Sequence, residues 1–377
     1  MPKKIIFFLL IVLVLGLVTP VLGAPLEINA KAAILMEPYS GKILYEKDIH
    51  KKLPIASVTK LMTLLIAIEA VEKGQVKLNE IVKVSEQAAS MGGSQLYMYT
   101  GEEFAFKDLL MAVAVASAND ACVAVAETVA GSEQAFVEKM NQRALELGLT
   151  NTHYVNSYGF DDPNHYSTCY DLAILLKEAI KHPLFLELSQ IKEFTLRGGD
   201  TRRYNTNKLL WYYRGVDAGK TGWTIDANYC LASTARRDGL RLIAVVLGCP
   251  EKKGHFSESI KLYNYGFANF KAYPILDANF TTKIKVIKGE KEQLPVGPGA
   301  PVVLVFAKGQ KINPRYELKL PEKINAPVKR GQVVGEILVY DGKTVLTRAP
   351  LKALQDCPKA RLDLAIGRFL KNIVTFE

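Results

Sequence analysis

SVTKLMTLLIAIEA, residues 57–70, is the stretch that decides the fold of this 377-residue chain. After its first turn it is apolar on nearly every face. That pattern is typical of a helix buried on all sides rather than one lying on a surface. Such a helix needs other elements around it, so residues 57–70 are predicted to run through the centre of a domain.

Strand-like and helix-like segments flank this helix in the sequence. A hairpin is predicted before it, from Ala32 to Tyr45, with turn residues at 38–41. Helical patterns follow at 106–130, 133–147 and 170–181, then a strand hairpin at 229–234 and 241–247, and a last helix at 257–270. This order predicts an α+β fold in which an antiparallel sheet from both chain ends carries an inserted helical region.

The composition changes after Tyr273. Apolar and polar residues alternate over 282–286, and β-branched runs recur between Gly and Pro turns to about Ala353, which predicts a small all-β domain. The expected division is a signal peptide at 1–23, a catalytic domain at 24–273, the all-β domain at 274–354 and an amphipathic helix at 355–377.

The N-terminus indicates the compartment. Lys3 and Lys4 precede an apolar run over 5–18, and small residues lead up to Ala24. This is the pattern of a secretory signal. The run is shorter than the roughly 20 residues that span a bilayer, although an uncleaved membrane anchor remains the alternative. We therefore expect a protein exported across the cytoplasmic membrane and held at its outer face.

The C-terminal segment repeats apolar residues at helical spacing: Leu362, Ile366, Phe369, Ile373 and Phe376. Two interpretations are open, a helix packed on the all-β domain and a helix lying on a membrane surface. The signal pattern favours the second.

The 48 basic and 38 acidic residues give a net charge of +10. They are dispersed and come with no nucleic-acid motif, so the expected partner is an anionic surface such as lipid or cell wall.

Several function classes are disfavoured. Neither GxGxxG nor a GxxxxGK[ST] loop occurs, so no nucleotide cofactor is expected. The five cysteines contain no CxxC, and the five histidines have no metal-ligand spacing. With no cofactor or metal expected and an extracytoplasmic location, a hydrolase or a binding protein is favoured.

Chemistry begins at Ser57 and Lys60, which lie three residues apart on one helix face. A serine needs a base to remove its proton, and a buried lysine can lose its own proton near neutral pH because desolvation disfavours the charge. The first turn also directs free backbone amides towards a developing oxyanion. By itself, SxxK is weak evidence, because this short pattern usually marks no more than a capped helix.

Two further elements carry polar residues in unusual places. Ser117-Ala118-Asn119 interrupts a run of small apolar residues, where buried polar side chains need a role. The alternative is a loop in which Asn119 or Asp120 caps a helix. Lys220-Thr221-Gly222 precedes a predicted strand at the sheet edge, where a substrate backbone could approach the glycine closely. An ordinary turn is the alternative there.

Taken together, SxxK, SxN and KTG in this order, about 60 and 100 residues apart, resemble the penicillin-recognising serine D,D-peptidases and β-lactamases. More closely, the chain resembles the low-molecular-mass D-alanyl-D-alanine carboxypeptidases. The resemblance covers nearly the whole chain and is strongest in the stretches 32–63, 156–168, 205–210 and 217–224. It implies a sheet with inserted helices, followed by a small β domain and a membrane-surface helix.

The resemblance implies roles for the motif residues. Ser57 would be the nucleophile and Lys60 the base that activates it. Ser117 would relay a proton to the leaving amine, and Asn119 would bind the amide on the acyl side. Lys220 would set the local electrostatic potential.

It also implies how the substrate is held. Thr221 would contact the terminal carboxylate, and Gly222 would let the substrate backbone approach. The amides of Ser57 and Trp223 would form the oxyanion hole. The chain departs from the family at His255, where relatives often carry an arginine facing the carboxylate. A histidine would supply that cation only when protonated.

The implied activity is removal of the terminal D-alanine from peptidoglycan stem peptides through an acyl-enzyme, which β-lactams would also form. A β-lactamase is one alternative, but residues 154–168 contain no glutamate to serve as the extra base. An inactive wall-binding protein is another, although none of the motif residues is missing. The expected partners are stem peptides, β-lactams and an anionic membrane surface, without nucleic acid.

Overall fold

The computed structural model describes residues 26–361. The predicted signal peptide and the apolar positions of the predicted C-terminal helix lie outside this range. In the first part of the chain the strands are β1 (Ala32–Met36), β2 (Ile43–Lys47), β3 (Ile81–Lys83), β4 (Glu103–Ala105), β5 (Glu193–Leu196), β6 (Thr201–Tyr204), β7 (Val216–Thr224), β8 (Asn228–Arg237) and β9 (Leu240–Cys249). The helices are α1 (Lys60–Glu72), α2 (Glu86–Ala89), α3 (Phe106–Met111), α4 (Asn119–Ala130), α5 (Glu133–Glu146), α6 (Cys169–Ala179), α7 (Pro183–Gln190), α8 (Leu209–Tyr212) and α9 (Gly254–Asn269).

The central sheet joins the two ends of this region. Its five antiparallel strands lie in the order β2-β1-β9-β8-β7, and the helices from α1 to α8 are inserted between β2 and β9 in the chain. Alternate residues of β9 face opposite sides: Val245 packs in the cluster around α1, whereas Val246 packs with Leu262 and Tyr263 of α9. The predicted α+β fold with an inserted helical region is confirmed.

Helix α1 passes through the core, as its sequence predicts. Ten of its thirteen residues are buried, and the only charged residue among those ten is Lys60. Burial of its apolar side chains stabilises the fold by roughly 1.5–3 kcal/mol for each large one. A lysine in this position is out of place in a purely structural helix, because Lys is almost never fully buried without a partner.

The predicted helix over 106–130 is interrupted. Helix α3 ends at Met111, a π-helical turn spans Ala112–Ala116, and Ser117 has a left-handed backbone (φ 59°) before α4 begins at Asn119. The small residues of this stretch allow the tight packing that the break requires. Local periodicity does not reveal such a break, because both halves share the same apolar pattern.

The remaining strands form a β region. They are β10 (Phe270–Leu276), β11 (Thr282–Ile287), β12 (Gln293–Gly297), β13 (Val302–Ala307), β14 (Pro314–Lys319), β15 (Lys323–Asn325), β16 (Val333–Asp341) and β17 (Thr344–Ala353). β10 pairs with β13, and six strands form a sheet in the order β14-β16-β17-β12-β11-β15. Lys42 also donates a hydrogen bond from Nζ to the carbonyl of Val305, 2.8 Å away, which ties the first region to the β region.

The structure differs from the expected boundaries at both ends of the β region. Strand β10 already begins at Phe270. Cys357 and Lys359 form bridges with Val328 and Gly289, so residues 355–361 extend the β region instead of beginning a helix. The two ends of the β region are set by pairing between residues that are far apart in the sequence. Within residues 26–361, no helix is long and apolar enough to cross a membrane.

Candidate active site

Ser57 and Lys60 meet at the entrance to α1. A 3-10 turn, Ala56–Thr59, leads directly into the helix. Lys60 Nζ lies 2.8 Å from Ser57 Oγ. The spacing predicted from the SxxK pattern therefore brings the hydroxyl and the amine into direct contact.

Two other groups bind the Lys60 amine. Asn119 Oδ1 accepts from Nζ at 2.7 Å, and the carbonyl oxygen of Tyr158 accepts at 2.6 Å. A neutral amine has two N–H groups and one lone pair. Because these two oxygens can only accept, they hold both N–H groups and leave the lone pair for the hydroxyl of Ser57.

Burial favours this neutral form. Lys60 is fully buried, and desolvation lowers its pKa to about 8, although Cys122 and Asp120 oppose the shift. At neutral pH a minor but substantial fraction of the amine is then unprotonated. This value suits a general base that works near neutrality.

The SxN element lies at the break after the π-helical turn. The left-handed conformation of Ser117 places its Oγ 2.9 Å from Lys220 Nζ. Asn119 is the first residue of α4 rather than its N-cap, and its Nδ2 donates to the carbonyl of Gly92 at 2.8 Å. The capping alternative does not describe Asn119, because its side chain bridges Lys60 and the chain at Gly92.

Lys220 lies within β7, at the edge of the sheet, rather than before a strand. It is buried (1% exposed), and its Nζ also donates to the carbonyl of Thr221 at 3.0 Å. Burial and the charge of Lys60 lower the pKa of Lys220 well below its ordinary value. Among residues 26–361, no strand pairs with the outer side of β7, so an extended substrate could add to it.

Gly222 allows β7 to lie against Ser57. A Cβ at this position would be 2.7 Å from the carbonyl oxygen of Ile55 and 3.1 Å from the amide nitrogen of Ser57. Any side chain would push the strand away. The glycine thus brings the backbone of β7, including the next residue, Trp223, beside Ser57. The Trp223 side chain itself is 56% exposed.

Sequence reasoning did not assign a role to Asn156. Its Oδ1 accepts hydrogen bonds from the amides of Tyr158, Gly159 and Phe160, at 3.3, 2.6 and 3.1 Å. These contacts fold the loop so that the carbonyl of Tyr158 reaches Lys60. The family resemblance includes residues 156–168, but only the folded loop reveals Asn156 as a positioning residue.

His165 was also missed. Its Nδ1 accepts from the amide of Val155 at 3.1 Å, so Nε2 carries the proton and donates to Thr59 Oγ1 at 2.7 Å. Thr59 in turn donates to the carbonyl of Ala56 at 2.7 Å. Burial lowers the pKa of His165 to about 4, which keeps the ring neutral in this chain of bonds. This series of hydrogen bonds joins the 3-10 turn to the loop that follows Asn156.

His255 does not have the surroundings that the family arginine would need. It is buried (5% exposed) and stacks on Tyr229 with the ring centroids 5.5 Å apart. Desolvation lowers its pKa to about 4, so the ring is neutral near pH 7. A neutral ring cannot supply the cation expected from the sequence.

No group of three or more His, Cys, Asp or Glu side chains within residues 26–361 is arranged to hold a metal ion. A serine hydroxyl with an amine beside it, a second serine–lysine pair and an edge strand are the arrangement of a serine peptidase of the penicillin-recognising class.

Comparison with known proteins identifies the family within this class. Residues 19–251 match the family model described as D-alanyl-D-alanine carboxypeptidase, and residues 270–359 match the C-terminal domain of penicillin-binding protein 5. The chain belongs to the D-alanyl-D-alanine carboxypeptidase family. The predicted serine-type D-Ala-D-Ala carboxypeptidase activity is thereby confirmed.

Two individual relatives match nearly the whole chain, and a third matches 65% of it. The chain is 38% identical to D-alanyl-D-alanine carboxypeptidase DacF of Bacillus subtilis, over 93% of this chain and 91% of that protein. The structure of penicillin binding protein 5 from Haemophilus influenzae superposes with a TM-score of 0.73 at 31% identity, covering 89% of this chain and 100% of that one. Penicillin-Binding Protein D2 from Listeria monocytogenes, in its ampicillin-bound form, superposes with a TM-score of 0.59 at 32% identity, over 65% and 100% of the two chains.

Proposed function

We propose that Ser57 is the nucleophile and Lys60 the base in the removal of the terminal D-alanine. The observation that carries this proposal is the contact of 2.8 Å between Ser57 Oγ and Lys60 Nζ, with both N–H groups of a neutral amine already bound elsewhere. Ser57 Oγ attacks the carbonyl carbon of the D-Ala–D-Ala amide, and its proton passes to Lys60. A tetrahedral intermediate forms.

The oxyanion of this intermediate lies between two backbone amides in our proposal. The amide of Ser57 is one, and the amide of Trp223 is the other, since Gly222 allows β7 to approach the nucleophile closely. Two such donors stabilise charge that develops only in the transition state. Asn119, bound to both Lys60 and Gly92, can present its amide to the acyl side of the substrate.

The leaving amine needs a proton when the amide bond breaks. Ser117 Oγ accepts from Lys220 Nζ, so its own hydroxyl proton is free to reach the leaving nitrogen, while Lys220 supports the transfer. Loss of D-alanine leaves an ester on Ser57. The proton that Lys60 took from Ser57 replaces the one that Ser117 gave up, so both groups are restored. Water then attacks the ester: Lys60 takes a proton from the water and returns it to Ser57 Oγ as the ester bond breaks, and the enzyme is back in its starting state. Thr221 and Lys220 are proposed to bind the terminal carboxylate of the leaving residue.

The proposed substrates are peptidoglycan stem peptides that end in D-Ala-D-Ala, and the proposed inhibitors are β-lactams, which acylate Ser57 in the same way. The ampicillin-bound Listeria relative supports the second point. Residues 154–168 contain no glutamate for rapid deacylation of such an adduct. We therefore expect the β-lactam ester to be long-lived.

The pH dependence of acylation tests the role of Lys60. Only the neutral amine can accept the proton of Ser57, and its pKa is about 8. The acylation rate should therefore rise about tenfold per pH unit below pH 8 and level off above it. Stopped-flow measurement with a fluorescent penicillin between pH 6 and 10 gives the profile. A flat profile from pH 6 to 8 would contradict the assignment.

We further propose that the protein is exported and held at the outer face of the cytoplasmic membrane by residues 362–377. The signal pattern at the N-terminus and the apolar periodicity near the C-terminus support this location. The bridges at Cys357 and Lys359 mean that the tail leaves from the β region.

Deletion of residues 362–377 should release the mature protein into the soluble fraction. Because the deletion starts after the bridges at Cys357 and Lys359, turnover of a soluble peptide should be unchanged. Fractionation of cells and a peptide assay on the purified variant provide the two measurements. A variant that unfolds would indicate that the helix packs on the β region, and one that stays with the membrane would indicate an uncleaved N-terminal anchor.

A further inference from the structure

Aromatic rings and lysines lie together on the surface beside the site of Ser57, Ser117 and strand β7, which is called the catalytic groove below. Tyr204 is 49% exposed and Trp211 is 39% exposed. Lys208 Nζ lies 5.8 Å from the ring centroid of Tyr204 and 4.9 Å from that of Trp211. Lys192 Nζ lies 5.8 Å from the Trp211 ring. These four residues are called the Lys208 platform below.

Buried asparagine side chains hold in place the segment that carries Tyr204, Lys208 and Trp211. The buried side chain of Asn205 donates from Nδ2 to the carbonyls of Ser189 and Ile191, at 3.2 and 2.9 Å. Asn207, also buried, accepts at Oδ1 from the amide of Leu209 at 3.2 Å. A backbone segment fixed in this way presents its side chains to a ligand with a smaller cost in conformational entropy.

The same segment is joined to the catalytic groove. The amide of Thr206 donates to the carbonyl of Val115 at 3.1 Å, two residues before Ser117. Three residues after α8 ends, the chain enters β7, which carries Lys220. A polymer that places one peptide end in the groove would therefore run close to the platform.

The charge of the platform identifies the chemistry of its ligand. Arg202, on the edge of the cluster, is paired with Glu193 at 2.7 Å. In the part of the chain that the structure describes, Lys192 and Lys208 form no ion pair with an acidic side chain. Two available cations beside exposed rings suit a ligand that offers both carboxylates and flat sugar or amide faces.

We propose that the Lys208 platform binds the peptidoglycan polymer itself, through its sugars and the carboxylates of stem peptides near the one being cleaved. This inference rests on the carboxypeptidase function. A polymer with many peptides that end in carboxylates has the negative charge that suits the two lysines. Because the platform adjoins the catalytic groove, we infer that this polymer is the one whose peptides are cleaved there. A membrane surface is a poorer match, because the predicted membrane-binding tail leaves from the β region, beyond residue 361.

The test compares a small substrate with the polymer, using the full mature chain. The double variant Tyr204→Ala/Trp211→Ala should keep its kcat/KM for diacyl-Lys-D-Ala-D-Ala. Its release of D-alanine from insoluble pentapeptide-rich peptidoglycan should fall about tenfold, as should its cosedimentation with that material. Lys192→Gln/Lys208→Gln, which keeps the rings, should show a similar loss. The loss relative to the wild type should be largest at low salt, because salt screens the lysine charges on which wild-type binding depends.

Tyr316→Ala is the matched control, since Tyr316 is 48% exposed on β14 of the β region. It should leave both substrates unaffected. Equal losses on peptide and polymer would overturn the inference, and so would unchanged polymer binding in both double variants. Selective loss of binding to phosphatidylglycerol vesicles, with polymer binding intact, would assign the platform to a membrane instead. If the wild type does not cleave the peptide, the carboxypeptidase function is contradicted. Cosedimentation of the wild type and the variants with peptidoglycan would still test whether the platform binds the polymer.

Discussion

Ser57→Ala should abolish both D-alanine release and covalent labelling by penicillin. The substituted side chain has no oxygen to attack a carbonyl, so no acyl-enzyme can form. Intact-mass measurement after incubation with penicillin reports the adduct directly. Ser90→Ala, which removes a hydroxyl that only donates to the carbonyl of Gln87 on the surface, is the control and should label normally.

Lys60→Ala should nearly match the effect of Ser57→Ala, because the two groups act as one unit. Loss of the base should slow acylation by roughly 10² to 10⁴. The variant also leaves Asn119 Oδ1 and the carbonyl of Tyr158 without their donor, so some loss of stability is expected. Circular dichroism should still report a folded protein. Normal labelling of either variant would refute the assignment of nucleophile and base.

Gly159→Ala should disrupt the site without altering any group that reacts. Gly159 has φ of +95°, and a Cβ there would lie 2.0 Å from the carbonyl oxygen of Ala56 and 2.9 Å from the amide of Ser57. The loop must therefore move away from the nucleophile and take the Tyr158 carbonyl away from Lys60. We expect acylation to fall by about 10² or more and the melting temperature to drop.

Gly131→Ala is the control that distinguishes the effect of the steric clash at Gly159 from the effect of backbone strain. Gly131 also has a left-handed backbone, with φ of +83°, but no atom in the described part of the chain lies within 4 Å of an added Cβ. It should cost only the roughly 1–2 kcal/mol of that conformation and leave acylation unchanged. If Gly159→Ala does not fold, Asn156→Ala loosens the same loop without adding an atom, and its acylation should still fall. Wild-type acylation in a folded Gly159→Ala protein would contradict the geometry.

The central helix and its two reactive residues could be predicted from local sequence. An apolar stretch that covers every helix face has to be buried, and residues three apart on a helix meet whatever surrounds them. For this reason the Ser57–Lys60 contact and the core position of α1 agree with the prediction. The fold class also followed, because the order of strands and helices leaves few arrangements of an antiparallel sheet.

Other features depended on contacts between residues far apart in the chain. The left-handed turn at Ser117, the loop around Asn156 and the burial of His255 have no local signal in the sequence. Burial in particular decides charge: the histidine expected to act as a cation is neutral, because the ring of Tyr229 and the core around α9 exclude water from it.

The sequence by itself determined the family, the main order of strands and helices and the groups proposed to react, because these are properties of motifs and of short-range periodicity. Only the tertiary structure decided the protonation and the partners of those groups. Lys60 is suited to the proposed role of base because Asn119 and Tyr158, 59 and 98 residues away in the chain, supply acceptors without negative charge while the surrounding core removes water. Desolvation and hydrogen bonding are set by what packs around a side chain, and that is known only once the chain has folded.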